Sequence, residues 1–168
     1  MPRDAVMYAT AGWENFFVAE VGASAALLGL LFVAVSISLA KVLAYPHLPG
    51  RAAEALVELF GVLLVATCGL VPGQAPPTFG FEIIAIGALT WITPLALQLR
   101  GPRQPDARPW WMINRVIMTQ LSSLPMLVAG ISLVAERGGG LYWLVPGVAF
   151  SFATAIFGGW VLLVEIHR

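Results

Sequence analysis

The stretch Glu14–Ala40, ENFFVAEVGASAALLGLLFVAVSISLA, decides the fold. From Phe16 to Ala40 it holds one charged side chain, Glu20, and no proline. About 20 apolar residues in a helix cross the hydrocarbon core of a bilayer, and this run is long enough. Glu20 then needs an explanation. An ionised carboxylate in hydrocarbon is costly unless it is paired or wet. It stands near one end of the run, where water or a neighbour is within reach at modest cost.

Four further runs have the same character. The predicted spans are 16–40, 52–71, 79–99, 110–134 and 141–166. LPGR opens the second and PGQAPPT closes it, both helix punctuation. Pro94 predicts a kink in the third span; Pro109 stands near the start of the fourth and Pro125 inside it. The turn Arg137-Gly138-Gly139-Gly140 leads into the fifth. The composition agrees, with 59% hydrophobic and 11% charged residues. An ordinary soluble domain is roughly 25% charged. Mean hydropathy is +0.85. The expectation is an all-α polytopic membrane protein, a single domain over 1–168 built as a bundle of five transmembrane helices. The N-terminal MPRDAVMYATAGW lacks the charged leader followed by an apolar core of a cleaved signal, so the first run is expected to remain as a membrane helix.

Positive charge sets the orientation. With five crossings, Lys41, Arg51, Arg100, Arg103, Arg108, Arg115 and Arg168 share one side, and only Arg3 and Arg137 the other. Lysine and arginine accumulate on the cytoplasmic side, so the N-terminus is expected outside and the C-terminus inside. Aromatic residues fall at both boundaries: Trp13, Tyr142 and Trp143 at the outer, Tyr45, Trp110 and Trp111 at the inner. The loop QLRGPRQPDARPWW is too short for a domain and reads as an orientation signal, or as a contact for anionic lipid or a cytosolic partner.

The helix faces carry the remaining information. On the first span Ala19, Gly22, Ala26, Gly29, Val33, Ser36 and Ala40 recur every three or four residues and form a narrow, mostly small face. Such faces let backbones approach closely, within a chain or between chains. The fifth span repeats the device with Gly147, Ser151 and Gly158. Glu20, Ser24 and Ser38 share another stripe of the first helix, and Glu82 lies at a depth similar to Glu20. Together these four are the candidates for a pore or its outer vestibule. At the other boundary Glu54 and Glu58 stand one turn apart, with Asn114 and Arg115 at a similar level and Glu165 closing the fifth span. Thr119, Ser122 and Ser132 lie near the same side as Arg115. Charges within a membrane pair with one another, so a network of carboxylates around Arg115 is expected, with Glu58 as its first partner and Glu165 or Glu54 as the second choice.

Chemistry beyond this is sparse. His47 and His167 lie outside the spans, and Cys68 is the single cysteine. There is no HExxH, GxSxG or phosphate-cradling glycine loop, so no enzyme, metal or cofactor is expected. A formal net charge of zero without a basic, aromatic-rich patch argues against nucleic acid.

Trp13–Ile37, Gly140–Arg168, LPGRAAEAL and LVPGQ together resemble a family of small bacterial integral membrane proteins often labelled modulators of the FtsH protease. The resemblance implies a regulatory partner among membrane proteins and a bacterial inner-membrane location. It also implies an acidic residue near Gly159, which this chain lacks. Two functions follow as expectations. One is a homo-oligomeric ion or proton channel or small transporter. The other is a non-conducting accessory protein that binds a membrane complex such as a membrane protease.

Overall fold

A computed structural model describes the backbone of residues 8–101 and 109–166, with the side chains of all but 109, 111 and 161–166. Every regular element in this range is helical: α1 (Glu14–Ile37), α2 (Leu39–Ala44), α3 (Leu48–Gly69), α4 (Pro76–Arg100), α5 (Pro109–Ala135), a 3-10 turn (Gly140–Trp143) and α6 (Leu144–Ile166). Five of these segments are long and apolar enough to span a membrane: α1, α3, α4, most of α5, and the 3-10 turn with α6. The chain is an all-α, multi-pass membrane protein.

The helices form a ring of four with a fifth outside. α3 packs on α4, α4 on α5 in the largest contact, α5 on α6, and α6 back on α3. α1 lies against α3 and barely touches the rest. Its buried residues are Phe17, Ser24 and Leu31, one every two turns, so it attaches by a single stripe. Most of its remaining surface is apolar and exposed, Val18, Leu30, Phe32, Val33 and Ile37 among it, as a lipid-facing helix requires.

Glycine sets the close approaches. A Cβ on Gly130 would come 2.8 Å from the Gly80 carbonyl oxygen, and one on Gly80 would come 2.9 Å from that of Gly130. Only hydrogen fits at either position, so α4 and α5 touch through their backbones. Gly61 of α3 similarly makes room for Thr90 of α4. Between α5 and α6 the chain turns on Gly138, Gly139 and Gly140, with φ of 88°, 104° and 55°. Side chains rarely adopt that conformation. Ser132 clasps this turn by accepting from the Gly140 amide at 2.8 Å and donating to the Arg137 carbonyl.

The predicted spans meet these helices with shifted ends. LPGR and the prolines before Phe79 lie inside the first turns of α3 and α4 rather than before them. A first-turn proline loses no intrahelical hydrogen bond. The first span stops at Ile37, not Ala40: Ser38 leaves helical geometry with φ −102° and ψ 13°, and α2 begins beyond it. No proline or glycine marks that break in the sequence. Pro94 and Pro125 both sit inside continuous helices.

The ring interior divides in two. Toward the Trp13 and Tyr142 end it is apolar, a cluster of Phe17, Val62, Val65, Phe79, Ile83, Met126, Leu133 and Leu144 among others. Trp13 meets Tyr142 edge-on at 5.1 Å, and Phe17 meets Phe79 at 5.7 Å. Toward the end where α3 and α5 begin, the ring interior turns polar.

Candidate functional site

The polar half of the ring starts from α3. Glu54 and Glu58 are one turn apart, so both carboxylates point to the same side, into the ring. Glu54 is buried, and Glu58 is 1% exposed. Each finds its partners on different helices.

Glu54 is held by Arg115 of α5. The guanidinium Nε donates to Oε2 at 2.7 Å and Nη2 to Oε1, a two-point grip. Two parallel charge-assisted hydrogen bonds make this an ion pair of defined geometry. The Gln98 amide of α4 also donates to Glu54 Oε2, at 3.3 Å, and to the Thr119 hydroxyl of α5 at 2.8 Å. Three helices therefore converge on one carboxylate.

Glu58 is met by hydroxyls. Ser122 of α5 donates to Oε1 at 3.0 Å, and Ser151 of α6 to Oε2 at 3.3 Å. Beside them Ser123 donates to the Thr90 carbonyl at 3.4 Å. The chain of contacts runs Arg115–Glu54–Gln98–Thr119 at one level and Ser122–Glu58–Ser151 at the next. Beyond it lie Val62, Met126 and Val148, which close the interior toward the apolar half.

The lower level opens into a cavity of about 270 Å³ between α3, α5 and α6. Arg51, Glu54, Asn114, Arg115 and Thr154 supply its polar lining, and Met118 and Phe157 part of its apolar wall. The Arg115 side chain is 28% exposed. The Thr154 hydroxyl is buried and makes no hydrogen bond, and so is the Gln98 carbonyl oxygen. A second cavity of about 260 Å³, between α1, α2, α3 and α6, is lined by Leu27, Leu31, Val35, Val42, Leu59 and Trp160 and is almost wholly apolar.

The expected charge network thus exists in part. Glu54, Glu58 and Arg115 share the ring interior and Asn114 lines the adjoining cavity, but the partner of Arg115 is Glu54, not Glu58. Both Glu54 and Arg115 stand six residues from the described start of their helices, and depth decides the match. The Glu165 side chain, and the loop from 102 to 108, lie outside the described residues. Ser132 belongs to the turn at the far end rather than to this network. Gln98 escaped the sequence reading. Its one signal was an uncharged amide inside an apolar run, two residues before Arg100.

The candidates on α1 and the start of α4 do not converge on the polar interior. The Ser24 hydroxyl is spent on the Glu20 backbone carbonyl at 2.5 Å. Ser38 marks the helix break. Glu82 accepts from Gln74 at 2.7 Å, while one Glu20 carboxylate oxygen is buried without a hydrogen-bond partner. Neither cavity is lined by any of these four.

The two small-residue faces have opposite fates. On α6, a Cβ at Gly147 would meet Met126 at 3.0 Å, Ser151 reaches Glu58, and Gly158 adjoins Ala55. That face is consumed within the chain. On α1, Ala19, Gly22, Ala26, Gly29, Val33 and Ser36 are all exposed, and Ala40, the last of the expected face, is exposed on α2 beyond the break. Nothing lies within 4 Å of a Cβ built on Gly22 or Gly29. Among the described residues no group of histidine, cysteine or acidic side chains could hold a metal ion.

No protein-family model, curated protein or solved structure matches this chain.

Proposed function

We propose that the chain is a small membrane transport protein, a carrier for an ion or small polar solute that works as a homo-oligomer in a bacterial inner membrane. One observation carries this reading: two buried carboxylates on α3 are served by polar groups from α4, α5 and α6, in a membrane segment that stability alone would leave apolar. Buried polar groups in a bilayer are expensive, and they mark sites of binding or passage. The polar interior communicates with a cavity at one end and stops at an apolar layer at the other. That asymmetry favours a carrier, open to one side at a time, over a continuous pore. Glu58, between Ser122 and Ser151, is the group proposed to meet the transported species. The Arg115–Glu54 pair is proposed to position the entrance.

The test is flux in proteoliposomes, with proton, sodium, potassium and chloride gradients imposed in turn. Wild type should transport at least one of them, and Glu58→Gln should remove most of that flux while the protein still runs as a folded species on size exclusion. Absence of flux in wild type under all these gradients would end the transport reading.

A second reading rests on a different observation, the outward small face of α1. Such a face suits a second membrane helix. In this reading the protein is a non-conducting accessory subunit that docks through α1 on a membrane complex, such as the membrane protease implied by the family resemblance. Crosslinking from Gly29 to another protein in membranes, without flux, would select it.

A further inference from the structure

We infer that the species Glu58 takes up is a proton, delivered from the cavity between α3, α5 and α6 through Thr154 and Ser151. As cargo, the proton rests on the carrier reading; as an occupant of Glu58 it does not. Hydrogen bonding separates the two buried carboxylates. The partners of Glu54 are the Arg115 guanidinium and the Gln98 amide nitrogen, which donate and cannot accept. A proton on Glu54 would displace one of these donors. The partners of Glu58 are hydroxyls, which do both. Ser122 lies 3.0 Å from Glu58 Oε1 and 3.0 Å from the Thr119 carbonyl oxygen, and has one hydrogen for the two. With Glu58 ionised, that hydrogen goes to the carboxylate. With Glu58 protonated, the carboxyl donates to Ser122 Oγ and the serine hydrogen turns to the carbonyl. Rotation of one hydroxyl therefore satisfies the carboxyl in either state.

Room decides the species. Glu58 is 1% exposed and lines neither cavity. The hydroxyls around it already stand at hydrogen-bond distance, with no gap for a metal cation, which gathers about six oxygens at its own spacing. A proton needs no volume. Among the described side chains, the charged groups nearby leave this position to it. Glu54 adds negative charge one turn away on α3, and Arg115 of α5 is bound to Glu54. Arg51 lines the cavity in the first turn of α3. α4 presents the uncharged Gln98, and α6 the hydroxyls of Ser151 and Thr154. Glu20 of α1 and Lys41 of α2 lie outside the ring.

The route starts in the cavity. Thr154 lines it, and its hydroxyl oxygen is buried without a hydrogen-bond partner. Ser151 lies three residues earlier on the same face of α6, about 5–6 Å away at Cβ, a gap that one water spans. In the loading step a hydronium in the cavity gives a proton to Thr154 Oγ1. The threonine's own hydrogen passes through the bridging water to Ser151 Oγ, and the serine hydrogen passes to Glu58 Oε2. The hydronium becomes water, each hydroxyl keeps one hydrogen, and the carboxylate becomes a neutral carboxyl. A half-turn about its terminal bond carries the proton to Ser122. The neutral carboxyl is the form that tolerates the apolar layer of Val62, Met126 and Val148.

The experiment has two arms on the full chain. In proteoliposomes, proton, sodium, potassium and chloride gradients are imposed in turn on wild type, Glu58→Gln, Thr154→Val and Thr154→Ser. In detergent, infrared spectra across pH follow the carbonyl band of protonated carboxylic acids. Wild type should carry protons, and Glu58→Gln should lose that flux together with one titrating component of the band. Thr154→Val should slow the flux at least about tenfold, and Thr154→Ser, which keeps the hydroxyl, should restore it. The unfolding midpoint of Thr154→Val should not fall, since the hydroxyl it lacks makes no hydrogen bond. Proton flux untouched by Thr154→Val would overturn the route, even if Glu58→Gln does not fold. Flux of sodium, potassium or chloride without protons would overturn the proton assignment and leave the carrier reading standing. No flux of any ion would end the carrier reading, and the infrared arm would then decide the site alone. A titrating component present in wild type and missing from Glu58→Gln upholds it, and identical titrations of the two proteins overturn it.

Discussion

Arg115 grips Glu54 at two points and so ties the second turn of α5 to the second turn of α3 across the interior of the ring. The pair is partly open to the cavity, since the arginine side chain is 28% exposed. Removing one partner of a fully buried pair costs about 3–5 kcal/mol, and exposure lowers that figure. Arg115→Gln is therefore expected to cost about 2–3 kcal/mol in thermal unfolding in detergent. In a double-mutant cycle, Arg115→Gln and Glu54→Gln should couple by at least about 1 kcal/mol, whereas Arg115→Gln and Glu58→Gln should be close to additive. A larger coupling to Glu58 would refute the pairing.

Glu58 depends on its two hydroxyls. Ser122→Ala and Ser151→Ala should each cost about 1–2 kcal/mol, the worth of a hydrogen bond to a buried charged or polar group. Together they strip the carboxyl of both side-chain donors and should cost more than the sum, because the second loss leaves it unsatisfied in the ring interior. Unfolding midpoints of the two single variants and the double variant decide this. A double variant no worse than either single would show that water replaces the serines.

Glycines inside and outside the ring should respond oppositely. Gly130→Ala presses a methyl against the Gly80 carbonyl and should destabilise by about 1–3 kcal/mol. Gly29→Ala meets nothing within the chain and should be neutral or stabilising by up to about 1 kcal/mol through helix propensity. If α1 faces a second copy, Gly29→Leu should instead lower the oligomeric mass by light scattering without unfolding the protomer. A wild type that is monomeric in that assay would remove the oligomer.

The clasp at the glycine turn is a separate, local test. Ser132→Ala removes a donor to the Arg137 carbonyl and an acceptor for the Gly140 amide. A loss of about 1–3 kcal/mol is expected, with hydrogen exchange accelerated at Gly140 and α6 still protected. Acceleration spread over α6 would mean that the turn and helix open as one unit.

The charge distribution predicts an N-terminus outside, which thiol reagents can test. In a Cys68→Ala background, a cysteine at Ala11 should label from outside intact cells and one at Ala44 only after permeabilisation. Both positions are exposed. The reverse pattern would invert the charge assignment.

Helix number was legible because the bilayer imposes a length, and Glu14–Ala40 meets it without ambiguity. Helix ends were less so. Prolines 76 and 77 read as a stop, and Pro49 as punctuation ahead of its helix, whereas all three sit in first turns, and the break at Ser38 has no residue signature. The polar interior was half legible. Glu54, Glu58 and Arg115 stand out in any apolar sequence, but the choice between two carboxylates a turn apart depends on relative helix depth, which only packing fixes. In the sequence Ser151 reads as a small packing residue, and it is that, but its hydroxyl also finds Glu58. The α1 stripe through Glu20, Ser24 and Ser38 was a true periodicity without a shared destination, because Ser24 bonds to its own helix.

The single stripe that holds α1 to α3 bears on biogenesis. α1 precedes α3 in the chain, so it enters the bilayer before the surface that receives Phe17, Ser24 and Leu31 exists. It must persist in lipid as a solitary helix in the interval, and a surface that is apolar apart from Glu20 near one end and a few serines allows that. The later helices, which carry glutamate, glutamine and arginine into the interior, cannot wait in the same way. Glu54, Glu58, Gln98 and Arg115 find their partners on one another's helices, so α3, α4, α5 and α6 are committed to close together, and α1 serves as the anchored post beside which they do so.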